Sequence, residues 1–218
     1  VTVSVEGADW AGLTFKATQV NPPGQTFHVD GTSGSNSNDG FTRETAFATI
    51  QYAIDMAQDT DTVLVWPGVY HETATHGINF MGKAITVKSA ADAAVLEVPG
   101  YTAVTFAMGE DENSVLSNFV IRGSTTGILA MYSDPAINHV TVVNNDNGIM
   151  ADNANPTITN SIFWGNHNGD LFGSPDPIAT EYSCVQDEVD DRLVGYWKLD
   201  GNAIDSAGIK HGIVYGAT

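Results

Sequence analysis

The chain has 218 residues, enough to bury a substantial core in one large domain or in one domain with a small appendage. Eight Lys and Arg against 26 Asp and Glu leave a net charge of −18, which repels nucleic acid and anionic lipid and favours solubility and cation binding. No apolar run is long enough for a membrane span, and the single cysteine, Cys184, excludes an internal disulfide.

Charged residues make up 16% of the chain, while Gly, Asn, Ser and Thr are plentiful, a balance that suits turn-rich β-structure and not a helical bundle. The first residue is Val1 and not methionine, which suggests a processed or trimmed chain. Residues 1–26 open with alternation in "VTVSVEG", continue through "GLTFKATQV" and end at Asn21-Pro22-Pro23-Gly24. They read as an N-terminal β-segment of one or two strands before the main body.

The stretch 28–45 is a polar loop. Its Asp30, Asn36, Asn38 and Asp39 offer oxygen ligands suited to calcium, although their spacing does not follow the EF-hand pattern. The competing role for these residues is to make turns. In 47–59, Phe47, Ile50, Ile54 and Ala57 stand at helical spacing and predict an amphipathic helix of about three turns. Such a helix would cap an open end of stacked strands, where unpaired edges invite aggregation. "TVLVWPGVYHE" (62–72) reads as the first strand and turn of the stack, followed by "KAITVKSA", "AVLEV" and "TAVTFAM". "GEDENS" (109–114) reads as a charged, solvated excursion, with Glu110, Asp111 and Glu112 as a weaker cation candidate.

Beyond this excursion the chain repeats. Pro135, Pro156 and Pro177 are 21 residues apart, and so are Gly127, Gly148 and Gly169. Leu116, Ile137 and Ile158 keep the interval, as do Ile121, Val142, Phe163 and Cys184. The units are rich in Thr, Val, Ile, Asn and Gly, poor helix formers, and they lack the leucine-and-asparagine pattern of leucine-rich repeats. Three short strands and three turns use about twenty residues, and coils of this kind stack at about 4.8 Å. The expected fold is therefore all-β, a parallel β-helix of 21-residue coils with one N-terminal capping helix and extra terminal β-segments.

The turns agree. Asp134, Asn155 and Asp176 each precede a proline and suit a corner. Asn145 and Asn166 are placed to stack and share hydrogen bonds along the axis, with Asp187 ending that column. The column Ile121, Val142, Phe163 and Cys184 carries no polar residue and is assigned inward, with Cys184 as a small core residue. The neighbouring column of Arg122, Val143, Trp164 and Val185 is assigned outward, because an arginine facing a narrow core would be an unpaired buried charge.

The order "FHVDGTSGSNSNDGFTRETAFATIQYAIDMAQDTDTVLVWPGVYHE", together with "NPTITNSIFWGN", resembles secreted right-handed parallel β-helix repeat proteins of the pectin-lyase-like superfamily. The resemblance covers roughly 27–187. It implies a β-helix domain over 27–191 and a secreted or cell-surface location. For activity it implies little, since that superfamily spans lyases, hydrolases, epimerases and adhesins. A second stretch, "LVGYWKLDGNAIDSAG", resembles the opening strands of laminin-G/concanavalin-A-like domains and marks 192–218 as a C-terminal β tail.

Polysaccharide lyases need a base, often Lys or Arg, and cations to neutralise a uronate substrate. Between Lys88 and Arg192 this chain offers only Arg122. For hydrolysis the candidates are Asp146, Asp152 and Asp170, with His139 and His167 nearby in sequence. Asp146 and His167 are 21 apart and are expected to be neighbours on adjacent coils. The competing role is polar turn-making in "NNDNG" and "GNHNG". Trp164, flanked by Val143 and in line with Arg122, is the ligand-binding candidate, since aromatics on flat β-faces stack against sugar rings. Covering by the terminal segments is the alternative.

Three function classes follow. The first is a non-catalytic extracellular module that binds carbohydrate or acts as a spacer. The second is a polysaccharide-degrading lyase or glycoside hydrolase. The third is a structural protein that self-assembles into an oligomer or filament through terminal strands. The expected partners are polysaccharide or neighbouring protein chains, with calcium as the candidate cofactor and nucleic acid excluded.

Overall fold

The structure, a computed structural model, describes residues 22, 24–72, 76–174 and 178–186. The expectations for 1–21, Asp176, Pro177, Asp187 and the tail 192–218 lie outside these residues.

Short strands wind into a parallel β-helix with three faces, sheets of seven, six and five strands met in that order along each coil. The first sheet runs from Thr26–Val29 through Thr62–Val65 to Thr180–Glu181. The second runs from Val69–Tyr70 to Cys184–Val185, and the third from Ile78–Asn79 to Leu171–Ser174. Register stacks like on like. Val63, Val87, Leu116, Ile137 and Ile158 form one buried inward column, and Leu96, Ile121, Val142 and Phe163 another. Each such side chain contributes about 1.5–3 kcal/mol of burial, so the stack is held mainly by these columns.

The corners repeat as well. Asn118, His139, Asn160 and Tyr182 all take left-handed backbone, with φ of 60°, 53°, 51° and 52°. Asparagine tolerates that region better than most residues, which explains its recurrence at the bends. Pro135 and Pro156 are buried just ahead of strands Ala136–Asn138 and Thr157–Thr159, and the Asn155 N–H donates to Asp134 Oδ1 at 2.6 Å across two coils.

A buried polar ladder runs through the bend between the second and third sheets. The Val98 N–H donates to Ser124 Oγ at 3.1 Å, and the Ser124 N–H to Asn145 Oδ1 at 3.0 Å. Asn145 Nδ2 donates to Asn166 Oδ1 at 3.0 Å, and Asn166 Nδ2 donates to Asp170 Oδ1 at 2.6 Å. The expected asparagine stack is present, and among the described residues Asp170 is its lower partner.

The helix spans Ile50–Met56, shorter than the expected 47–59. Thr49 caps it, and Asn36 Oδ1 accepts from the Ala48 and Thr49 N–H groups at 2.9 and 3.3 Å, holding that stretch extended. Phe47 therefore sits outside the helix, bridges to Val29 and stacks on Phe27 with ring centroids 5.8 Å apart. Ile50, Ala53 and Ile54 are buried, and the helix packs on the first coil as a cap. Thr26–Val29 pairs with Thr62–Val65, so the stack begins one strand earlier than the expected start at residue 62.

Two further expectations are corrected. Glu110 is buried and not solvated: its carboxylate accepts from the Gly82 and Met108 N–H groups and from Ser133 Oγ, each at 2.8 Å. Cys184 is exposed and not a core residue. The coil after Asn166 carries one extra residue, so Phe163 pairs with Val185, and Ile149 with Leu171. Val185 packs on the core in place of Cys184, and the α-carbon of Gly148 faces the Asp170 backbone while its N–H donates to the Gly169 carbonyl at 3.0 Å.

Candidate functional site

The outer face of the second sheet follows from strand alternation. With Phe163 fully buried in strand Ile162–Trp164, its neighbours on both sides must point out. Trp164 is 50% exposed and Ile162 44% exposed, and Val143 is half-buried on the adjacent strand opposite Trp164. Arg122 is also outward, with its Nε 2.6 Å from Glu97 Oε1. The outward assignment of Arg122, Val143 and Trp164 holds. The exposure of Ile162 was already implied by the inward phase of Phe163.

A groove of about 600 Å³ begins immediately after Trp164, lined by residues 165–172 and Gln186. His167 is on its wall and exposed. Asp146 lies on the preceding coil, where its carbonyl accepts the Asn168 N–H at 2.7 Å, so Asp146 and His167 occupy neighbouring coils. Both are exposed, and no ion pair among the described residues joins them.

The other acidic candidates do not join this pair. Asp152 is exposed at the far end of strand Asn147–Asp152, where its Oδ1 accepts from Asn153 Nδ2 at 2.9 Å. Asp170 is 2% exposed and accepts from both Asn166 nitrogens and from the Gln186 N–H. Its carboxylate orders the ladder. His139 sits in a left-handed bend at the opposite end of the second-sheet strands.

In the 30–39 loop the expected cation ligands are engaged locally. Asp30 Oδ1 accepts the Thr32 and Ser33 N–H groups at 3.0 and 3.2 Å, and Oδ2 is 3.5 Å from Arg43 Nε. Burial pushes the Asp30 pKa up, but these donors outweigh it and leave it below the usual value. Asp39 Oδ1 accepts from Phe41 N–H and Thr45 Oγ1, Asn36 caps the approach to the helix, and Asn38 Nδ2 donates to the Ala46 carbonyl. Among the described residues, no group of three or more His, Cys, Asp and Glu side chains is gathered to hold a metal ion.

Two features were not anticipated. Arg43 lies over the Trp66 ring at 4.0 Å from its centroid, and Trp66 Nε1 donates to His28 Nδ1 at 3.3 Å. That bond places the proton of neutral His28 on Nε2, and burial lowers the imidazole pKa against the opposing pull of Glu44. These residues are distant in sequence, and only the pairing of strands Thr26–Val29 and Thr62–Val65 brings them together. The second feature is a groove on the third sheet near Tyr101, whose lining comes from three separate segments.

No protein-family model and no curated protein matches the chain. Among solved structures it is similar to a GH136 lacto-N-biosidase from Eubacterium ramulus, with 12% identity and a TM-score of 0.51 over 72% of this chain and 36% of that one. It is also similar to a rhamnogalacturonan lyase, with 14% identity and a TM-score of 0.46 over 73% of this chain and 50% of that one. The first likeness shows a shared fold. The chain spans 36% of the length of that neighbour.

Proposed function

We propose that this protein is a non-catalytic, carbohydrate-binding β-helix module of a secreted or cell-surface protein, with the outer face around Trp164 as its binding platform. The observation that carries the reading is the half-exposed Trp164 standing beside Ile162 and Val143 on a rigid sheet. An indole on a strand presents a large apolar face with little conformational entropy to lose on binding. The CH-rich face of a pyranose ring matches that surface, while its hydroxyls stay in water.

The charges near the platform favour neutral or weakly acidic sugars. Arg122 is neutralised by Glu97, and a net charge of −18 opposes the approach of a polyuronate. The test is incubation with a panel of neutral and acidic polysaccharides, following both co-sedimentation and polymer length, with calcium and with chelator. Retention without shortening, weakened in Trp164→Ala, is the expected result.

A second reading, a glycan-degrading enzyme, is favoured by one observation: His167 lines the groove next to Trp164 with Asp146 on the neighbouring coil. An acid and a base at such positions can serve proton transfer. Shortened polymer chains that persist in Trp164→Ala but vanish in Asp146→Ala would select this reading over the first.

A further inference from the structure

We infer that the outer face of the third sheet is a second binding site, a track for an uncharged glycan that ends in the groove beside Tyr101. The inference rests on the proposal that this protein binds carbohydrate, and it concerns a face that Trp164 does not reach.

The groove has a volume of about 570 Å³, within the roughly 300–1,000 Å³ range of small-molecule sites. Its walls are Tyr101, Met81 and Met108, which are 42%, 46% and 62% exposed. Its floor is Asn79, Thr102 and Thr105. Gln51 fixes the floor from the helix: its Oε1 accepts the Asn79 N–H at 2.7 Å and its Nε2 donates to the Asn79 carbonyl at 3.2 Å. Asn79 Oδ1 is taken by the Met81 N–H at 2.7 Å. Asn79 Nδ2 and the Thr102 and Thr105 hydroxyls have no hydrogen-bond partner among the described residues. The groove thus combines soft apolar walls with fixed backbone and free neutral donors, the combination a sugar ring needs.

Register extends the groove into a track. Asn79 pairs with Thr105, Thr105 with Leu129, Leu129 with Met150, and Met150 with Phe172. This outward column crosses five strands, about 19 Å at the spacing of parallel strands. Along one side runs an amide and hydroxyl border: Asn168 Nδ2 donates to Asn147 Oδ1 at 3.1 Å, and Asn147 Nδ2 to Thr126 Oγ1 at 3.4 Å. Charge decides the occupant. No Lys, Arg, Asp or Glu lines the groove, whose one histidine is His76. The exposed acid beside the track is Asp152, two residues past Met150, and the chain as a whole repels polyanions. A neutral polysaccharide chain lying along the solenoid axis satisfies the apolar centre, the polar border and the lack of charge together.

Affinity electrophoresis of the full chain tests this, using native gels that contain hydroxyethylcellulose, galactomannan or polygalacturonate. Tyr101→Ala removes an exposed wall, and Thr105→Glu puts a charge on the floor. Both are compared in a Trp164→Ala background, with unfolding midpoints and light scattering measured in parallel. The expected result is residual retardation of Trp164→Ala by a neutral polymer, weakened about tenfold by either added change. If Trp164→Ala alone abolishes retardation, or neither added change weakens it, the track is refuted while the Trp164 platform stands. A wild-type protein retarded by no polymer overturns both readings. Preferential retardation by polygalacturonate overturns the charge argument. A dimer that Thr105→Glu dissociates would make this face a contact between copies of the chain and overturn the inference.

Discussion

Replacing Asn145 by alanine tests whether the polar ladder holds the coils in register. Asn145 is 3% exposed. Its Oδ1 accepts the Ser124 N–H at 3.0 Å, and its Nδ2 donates to the Ile121 and Val143 carbonyls at 3.1 and 3.3 Å and to Asn166 Oδ1 at 3.0 Å. Alanine leaves the Ser124 amide buried without its acceptor, at a cost of about 1–3 kcal/mol. The better of the lost amide bonds add about 1 kcal/mol, because Asn166 Oδ1 keeps the Asn145 backbone N–H at 3.0 Å. A loss of about 3 kcal/mol follows. With a urea slope of about 2–3 kcal/mol/M, the unfolding midpoint should fall by about 1–1.5 M with the slope unchanged. Asn138→Ala is the control, since Asn138 meets Asn160 only at 3.4 Å on the outer face of the first sheet. Equal shifts in the two variants would refute the reasoning.

Three other outcomes follow. Burial raises the Glu110 pKa, but the Met108, Gly82 and Ser133 donors outweigh it and leave it below 4.5. Its stabilisation is therefore present above the unfolded value and lost as pH falls through the folded one, so Glu110→Gln should flatten the acid limb of the wild-type stability curve below pH 4.5. The His28 pKa is lowered by burial, so this corner holds its stability above pH 6.5 and loses it as pH falls further. Trp66 emission should change over that range in the wild type and not in His28→Gln. Cys184 is exposed, so a thiol reagent should titrate one thiol in the native protein without denaturant; protection until unfolding would contradict the shifted register.

The fold was legible because a solenoid writes its period into the chain. The prolines before the first-sheet strands, the inward Leu116–Ile137–Ile158 column and the Asn145–Asn166 pair each gave the same 21-residue interval, and their neighbours in space are their neighbours in that period. The same regularity misled at Cys184. One residue added between Asn166 and Leu171 shifts the later register by one, and a strand shifted by one residue turns every side chain over. Nothing in "GNHNGD" marks the insertion. Glu110 was hidden for a different reason. Its donors Gly82 and Ser133 lie one coil to either side at irregular spacing, so a buried acid read as a solvated loop. Phe47 fitted the helical pattern, but Glu72 accepts the Ile50 and Gln51 N–H groups and the Asp30 N–H donates to the Phe47 carbonyl, groups that a longer helix would have paired within itself.

On the site, the sequence alone places Trp164 outward, because a single inward assignment fixes the whole strand. The Tyr101 groove was not legible, since its walls come from the turns around strands Ile78–Asn79 and Thr102–Phe106 and its floor is fixed by the helix. The Arg43–Trp66–His28 cluster escaped for the same reason.

The most direct test of the central claim is the binding of wild type and Trp164→Ala to an immobilised neutral polysaccharide, with thermal unfolding recorded for both. The side chain is half exposed, so its removal should move the unfolding temperature by no more than about 2 °C. Loss of a stacking platform should weaken affinity at least about tenfold. Weakened binding with an unchanged unfolding temperature is the predicted result. Binding that is equal in the two proteins, or that declines only in step with stability, would contradict the assignment of Trp164 as the platform.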